Sequence, residues 1–289
     1  MMDWIKKVKA VIFDLDGTLY QDYTFLGRYI QHMLKEQLQK SDLEQVIKEA
    51  YSILEGSHPI RIGYYYNREN QKVYAHENLN PTACFSWDGE EYEDGMAENK
   101  HLFYIGDPWG IAGLYAQKYN VDISKKMMVF DLVRKEMLCE PNKIYRHKAL
   151  FDAISELNVE NKVFMTNTPE PSGSEFVKYL EIEHHFDEYI FDAKKPNGMQ
   201  LKMEQMLAEG YEPYEILSVG DNPFNDLYPV KNLGGKTCLI SGYSHADSTE
   251  WDVKVQTIEE LTVILHQLCS HSSDKSKEDS LSDKITFIH

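Results

Sequence analysis

Residues 8–20 read VKAVIFDLDGTLY, a hydrophobic run that stops abruptly at two aspartates. The run Val8–Phe13 predicts a buried strand, and Asp14, Asp16 and Gly17 then predict a polar turn. Sites in parallel α/β sheets form at the carboxyl ends of strands, so both acids can face one crevice. Taken alone, an Asp-X-Asp turn is more often just a solvated loop. The rest of the chain decides between these two interpretations.

Strands and helices alternate regularly only after Pro141. The later predicted strands each follow an amphipathic helix, and they lie at Lys162–Met165, Tyr189–Phe191, Ile216–Val219 and Thr237–Ile240. Such alternation is typical of a parallel sheet covered on both faces. No regular alternation of helix and strand directly follows the first strand, so the simplest interpretation places that strand in the later sheet. We therefore predict an α/β fold whose doubly wound, Rossmann-like core consists of residues 1–20 and 141–269.

The intervening residues 21–140 would then be an inserted second domain. Two amphipathic helices are predicted in it, at Phe25–Gln39 and Asp42–Leu54. From His58 to Tyr115 there are eleven aromatic residues, a density above the chain average of 12%. Within that stretch Gly63–Ala75 predicts a hairpin. We predict a folded and mainly helical insert.

Composition excludes several classes of protein. There are 30 Lys and Arg against 47 Asp and Glu, so the net charge is −17. Nucleic acid and anionic membranes carry the same sign, and we expect neither as a partner. The four cysteines lack CxxC spacing and indicate reduced thiols. No signal peptide or membrane span is visible, which predicts a cytoplasmic protein. The serine-rich residues 270–289 predict a flexible tail, and the oligomeric state is left open.

Polar residues follow three more of the predicted strands. VFMTN at residues 163–167 includes a hydroxyl, KKP at 194–196 places Lys195 directly before a proline, and SVGDNPFND at 218–226 carries an acidic pair. Alone, each is commonplace, since a helix-capping residue or a surface lysine needs no catalytic role. Together with FDLDGTL at residues 13–19, and in this order, they resemble the four motifs of the haloacid dehalogenase-like superfamily of phosphohydrolases.

This resemblance covers residues 8–20 and about 145–245, while the insert is similar to the family's cap only by position. It implies a Mg²⁺-dependent phosphatase acting on a small phosphorylated metabolite. Members that transfer haloacids or pump ions have other residues at the position of Asp16, so an acid there favours a phosphatase or a phosphomutase. A regulator that binds a phosphorylated metabolite without turnover is the alternative from another class.

The resemblance also implies roles for the four acids. Asp14 would attack phosphorus and form an aspartyl phosphate, and Asp16 would protonate the leaving oxygen and then accept a proton from water. The metal would be held by the carboxylates of Asp14 and Asp221 and by the main-chain carbonyl of Asp16. Asp226 would be a further ligand or, as we favour, an acid that orients Lys195 or a bound water.

Three further residues would contact the phosphate. Lys195 would neutralise its oxygens and restrain the charged nucleophile, and Thr166 and the backbone N–H of Asn167 would donate hydrogen bonds to it. The sequence does not identify the leaving group. All candidate catalytic residues lie outside the insert, so we expect the insert to govern selectivity, through residues such as Trp109, and not the chemical step.

Overall fold

The computed structural model describes residues 3–92 and 101–269 of the chain, so the predicted tail at 270–289 lies outside the described residues. Within them the strands are β1 (Ala10–Phe13), β2 (Tyr65–Asn67), β3 (Lys72–Glu77), β4 (Asn80–Phe85), β5 (Leu102–Tyr104), β6 (Asn161–Met165), β7 (Glu188–Ile190), β8 (Ile216–Gly220), β9 (Lys236–Ile240) and β10 (Val253–Val255). The α-helices are α1 (Phe25–Leu34), α2 (Lys40–Glu55), α3 (Pro108–Lys118), α4 (Ile123–Glu136), α5 (Lys148–Glu156), α6 (Ser172–Tyr179), α7 (Asn197–Ala208), α8 (Tyr228–Asn232) and α9 (residues 258–269).

Six strands form one parallel sheet in the order β10-β9-β8-β1-β6-β7. β1 lies inside this sheet, with Phe13 opposite Phe164 of β6 and Val219 of β8. The predicted α/β class and the placement of the first strand with the later ones are confirmed. The chain builds one side of β1 with β6 and β7 and then the other with β8, β9 and β10. Such a reversal opens a crevice at the carboxyl ends of the central strands.

The segment between β1 and β6 contains α1 to α4 and a second sheet of four antiparallel strands, in the order β4-β3-β2-β5. Tyr65 pairs with Tyr74, so the hairpin predicted at Gly63–Ala75 is confirmed. The strands β4 and β5 were not expected. β4 reads NPTACF, with a proline near its start, and β5 has only three residues, so neither carries a clear strand pattern.

Hydrophobic packing is continuous between the two parts of the chain. α1 buries six side chains on one face, which are Phe25, Leu26, Tyr29, Ile30, Met33 and Leu34. They belong to the same buried cluster as Phe13 of β1 and Phe151 of α5. Burying one such side chain contributes roughly 1.5–3 kcal/mol. α1 itself packs against α2, α3 and α4, so its buried face forms the core of the insert within a cluster that continues into the parallel sheet.

α4 is unusual because its buried side includes a charged residue. Only Val129, Val133 and Arg134 of this helix are buried, whereas Met127 and Met128 are exposed.

Among the helices of the described residues, none is both long enough and apolar enough to cross a bilayer.

Candidate active site

The carboxyl ends of β1, β6 and β8 meet at one edge of the parallel sheet. Asp14 follows β1, Thr166 follows β6 and Asp221 follows β8. The amide of Asp14 donates to the carbonyl of Val219 at 3.0 Å, which continues the β1–β8 ladder into the site. A cavity of about 440 Å³ opens here. All seven residues proposed from the sequence line it: Asp14, Asp16, Thr166, Asn167, Lys195, Asp221 and Asp226.

Lys195 joins two of the acids. Its buried Nζ lies 2.6 Å from Oδ1 of Asp14, 2.6 Å from Oδ1 of Asp226 and 3.0 Å from the carbonyl of Met165. All three hydrogens of the ammonium group therefore have acceptors. The neighbouring Lys194 instead pairs with Asp192 at the exposed surface. Lys195 is thus the lysine of the KKP stretch that enters the site.

Three carboxylates converge beside this lysine. One oxygen each from Asp14, Asp221 and Asp226 can be chosen so that all lie within 4.8 Å of one another. Burial is the largest cause that raises the pKa of Asp14, to about 8, although the charge of Lys195 opposes this shift. Burial and the neighbouring charges of Asp107 and Asp14 raise the pKa of Asp221 well above its usual range. A hard cation with oxygen ligands fits this donor set and would offset the repulsion.

Gly17 makes the approach of the two acidic loops possible. Its φ is +75°, and a Cβ at this position would lie 2.1 Å from Oδ2 of Asp221. A side chain would therefore need both the left-handed backbone and the space that Asp221 occupies. Tyr243 donates to the same oxygen of Asp221 at 2.8 Å, which fixes the carboxylate from the other side.

Asp226 lies in a wide π-helical turn, Pro223–Leu227. The backbone N–H of Asn222 donates to Oδ2 of Asp226 at 3.2 Å, and the hydroxyl of Ser218 donates to its carbonyl at 2.8 Å. Its Oδ1 is left for Lys195. π-Helical turns are rare and frequently occur at functional sites, and this one orients an acid toward the lysine.

Thr166 and Asn167 differ in what their side chains contact. The hydroxyl oxygen of Thr166 accepts the N–H of Thr168 at 3.1 Å, so its own hydrogen remains able to donate. The side-chain Oδ1 of Asn167 accepts the backbone N–H of Lys195 at 2.7 Å, and its Nδ2 donates to the Lys195 carbonyl at 3.3 Å. The Asn167 side chain therefore holds the Lys195 backbone, while binding of phosphate by its own N–H stays a prediction.

Asp16 is surrounded by donors that the sequence analysis missed. Its Oδ1 accepts hydrogen bonds from the hydroxyl of Tyr20 and from Nη1 of Arg134, and its Oδ2 accepts the hydroxyl of Thr168 at 3.1 Å. Arg134 belongs to α4 of the insert. The sequence gives one indication of this role. Val129 and Val133 mark the buried side of α4, and the charged Arg134 directly follows Val133 on that side.

Asp107 is a second acid from the insert that lines the cavity. Its Oδ1 accepts the N–H of Gly110 at 2.6 Å and caps α3, as an Asp before a helix-starting Pro predicts. Its Oδ2 accepts Nδ2 of Asn222 at 2.6 Å, a contact that no sequence pattern indicates. Arg134 thus contacts Asp16, and Asp107 contacts the loop of Asp221. The insert therefore reaches residues proposed for catalysis, while its role in selectivity and not in the chemical step stays a prediction.

The insert also forms the aromatic wall of the cavity, contributing Tyr29, Phe103, Tyr104, Trp109 and Phe130. Trp109 stacks on Phe25 with the ring centroids 3.9 Å apart. Among the described residues that line the cavity, the basic ones are Lys195 and Lys126. Trp87, by contrast, packs against Tyr66 and Tyr115 within the insert. The aromatic residues of the insert thus divide between its own core and the site.

A profile of the haloacid dehalogenase-like hydrolases matches residues 8–234, which is most of the chain. The chain belongs to this hydrolase family. A search of curated protein sequences gave no match.

Solved structures with the same fold align over most of the chain. A predicted phosphoglycolate phosphatase from Haemophilus somnus 129pt aligns with a TM-score of 0.52 and 16% identity, over 89% of this chain and 98% of that chain. A hydrolase of the family from Bacillus subtilis, bound to magnesium, aligns with a TM-score of 0.50 and 14% identity over the same shares. An L-2-haloacid dehalogenase from Xanthobacter autotrophicus aligns with a TM-score of 0.46 and 15% identity, over 90% and 99%. At these identities the first two alignments show the fold alone.

Proposed function

We propose that this hydrolase is a Mg²⁺-dependent phosphatase that releases phosphate from a small phosphorylated metabolite through an aspartyl phosphate at Asp14. The observation that carries the proposal is the arrangement around Lys195, which pairs at 2.6 Å with both Asp14 and Asp226 beside Asp221. A carboxylate nucleophile, an ammonium group and further acids at one edge of a parallel sheet suit phosphoryl transfer.

The acids outnumber the bases around the cavity, and an anionic phosphate would have to approach them. Five carboxylates, from Asp14, Asp16, Asp107, Asp221 and Asp226, lie in its lining. Asp14, Asp221 and the main-chain carbonyl of Asp16 would hold Mg²⁺. When bound, the ion would supply positive charge against both the carboxylates and the phosphoryl oxygens.

The side chains of the site would carry out the nucleophilic attack, the proton transfer and the binding of the phosphate. Asp14 continues from the central strand, so its carboxylate is held in place to attack phosphorus in line with the leaving oxygen. Asp16, whose side chain is 18% exposed, would give a proton to that oxygen and later accept one from water. The hydroxyl of Thr166 would donate a hydrogen bond to the phosphate, and Lys195 would stabilise its charge.

The acid at position 16 supports phosphate chemistry over halide displacement, because only a poor oxygen leaving group requires a proton donor. A phosphomutase would share the aspartyl phosphate, and it would pass the phosphoryl group to a sugar instead of to water.

A panel of phosphorylated metabolites with Mg²⁺ tests the proposal, with inorganic phosphate as the readout. We expect release that stops in excess chelator and returns with added Mg²⁺. Quenching with labelled substrate should place the label on Asp14, and Asp14→Asn should carry none. Label on another residue, or full turnover in chelator, would contradict the mechanism. Transfer of label to a second sugar phosphate without phosphate release would identify a mutase, and binding without any turnover would identify a regulator.

A further inference from the structure

A buried arginine from the insert lies directly behind the proposed general acid. The Arg134 side chain is 1% exposed. Its Nη1 donates to Oδ1 of Asp16 and, at 2.9 Å, to the hydroxyl of Tyr20, while its Nε donates to the hydroxyl of Ser172 at 3.2 Å. The guanidinium carbon lies 3.4 Å from the centroid of the Phe176 ring. These four contacts, with Asp16, Tyr20, Ser172 and Phe176, hold the guanidinium in one orientation.

Arg134 does not itself line the cavity, whereas Asp16 does. The guanidinium carbon is 5.7 Å from the ring centroid of Trp109 and 5.8 Å from that of Phe130, and both of these rings do line the cavity. Arg134 therefore does not contact a bound ester itself, and its contacts with the site are those with Asp16 and the aromatic wall.

We propose that Arg134 is a positioning residue that holds the Asp16 carboxylate in the orientation needed for proton transfer, so that the chemical step depends on how the insert is seated. This inference rests on the proposed phosphatase function. Asp16 would otherwise rotate about two side-chain bonds. Arg134 and Tyr20 restrain Oδ1, and Thr168 restrains Oδ2. Small displacements of a catalytic group can cost about a hundredfold in rate.

Stability alone is a weak explanation for this pair. Taking two charges out of water is costly, and apolar residues of similar volume often replace a buried ion pair without loss of stability. Here Phe176, Trp109 and Phe130 already surround the guanidinium with apolar rings. Methionine would serve if this position needed only packing, so the presence of a charge that pairs with Asp16 points to a role at that carboxylate.

The test compares Arg134→Met with Asp16→Asn on two kinds of ester, an alkyl phosphate and 4-nitrophenyl phosphate. The alkyl leaving group needs a proton and the nitrophenyl group hardly does. We expect Arg134→Met to lower kcat on the alkyl ester by about 10²-fold, within the range of general acid catalysis, and to change kcat on the aryl ester far less. In the Asp16→Asn background the same substitution should cause no further loss.

Arg28→Met is the matched control, because Arg28 also forms an ion pair with α4, through Glu136 at 3.0 Å, away from Asp16. It should leave the ratio of the two rates unchanged. Should Arg134→Met fail to fold, Tyr20→Phe keeps the ring and removes one donor to Asp16, and it should shift the rate ratio in the same direction by less. Equal losses on both esters, or losses that add to those of Asp16→Asn, would overturn the inference while leaving the phosphatase intact. A wild-type protein that hydrolyses no ester would instead overturn the proposed function, and the inference with it.

Discussion

The side chain of Asn222 donates a hydrogen bond of 2.6 Å to Oδ2 of Asp107, which links the start of α3 in the insert to the loop that carries Asp221. Each residue also serves its own element. Asp107 caps α3 through Gly110, and Oδ1 of Asn222 accepts the N–H of Asn225 at 3.2 Å. The link therefore joins two loops that are already ordered, and it does so next to the proposed metal ligands.

A double-mutant cycle on this link measures the coupling. We expect Asp107→Ala and Asn222→Ala each to lower the free energy of unfolding, and the double variant to lose less than the sum. The sum of the two single losses should exceed the loss of the double variant by about 1.5–3 kcal/mol, as for a hydrogen bond to a charged group. Chemical denaturation of the four proteins gives these energies. Losses that add to within about 0.3 kcal/mol would show that the two residues act independently.

Lys195→Met should destabilise the protein strongly, because it leaves the buried carboxylates of Asp14 and Asp226 without their partner. We expect a loss of about 3–5 kcal/mol in the free energy of unfolding, measured in chelator, and no detectable phosphate release. Lys194→Met is the control on the adjacent residue. Its ion pair with Asp192 is exposed, so its effect should stay within about 0.5 kcal/mol. Comparable losses in the two variants would contradict the buried arrangement.

Gly17→Ala should lower the free energy of unfolding by more than the left-handed backbone conformation alone explains. Gly210 provides the reference, since its φ is +105° and a Cβ there would meet nothing within 4 Å. We expect Gly210→Ala to lower the free energy of unfolding by about 1–2 kcal/mol, and Gly17→Ala to lower it further because of the contact with Asp221. The rise in Tm on adding Mg²⁺ should also vanish in Gly17→Ala and persist in Gly210→Ala. An unchanged rise in Gly17→Ala would refute the link to the metal.

Lys126 should select esters whose leaving group carries a second anionic group. It lines the cavity, burial is the cause that lowers its pKa, and no described residue forms an ion pair or side-chain hydrogen bond with its ammonium group. We expect the wild type to favour 4-carboxyphenyl phosphate over phenyl phosphate by about tenfold in kcat/KM, the equivalent of one charge-assisted hydrogen bond. Lys126→Met should remove this preference.

Lys125→Met is the control for that experiment, because Lys125 lies next in sequence but pairs with Glu36 at 2.7 Å outside the cavity. It should keep the preference for the carboxylated ester. A preference that survives in Lys126→Met, or that falls equally in both variants, would exclude Lys126 as a selectivity residue.

Much of the site was accessible from the sequence because its residues follow directly from strand ends. A hydrophobic strand fixes the direction in which the next residue leaves the sheet, so the pattern of strands alone places Asp14, Thr166 and Asp221 at one edge. Lys195 could be distinguished from Lys194 through the family resemblance, and the contacts of the two side chains agree with that choice.

The residues that the insert contributes to the site could not be predicted from the sequence, because they do not follow the strands of the parallel sheet. Arg134 meets Asp16, and Asp107 meets Asn222, across more than a hundred residues of intervening chain. Their positions depend on how helices pack, and no local spacing encodes that. The same holds for β10 and β5, since three residues are too few to show a strand pattern.

The position of β1 in the sheet also has a consequence for biosynthesis. This strand leaves the ribosome before the other five strands of its sheet, yet Ala10 pairs with Asn161 on one side and with Ile216 on the other. The whole insert is therefore synthesised before either neighbour of the central strand exists. Contacts so distant in sequence form slowly, and an unpaired hydrophobic strand is prone to aggregate during the delay. We expect nascent chains that end before residue 161 to keep β1 open to chaperones, whatever order the insert has already reached.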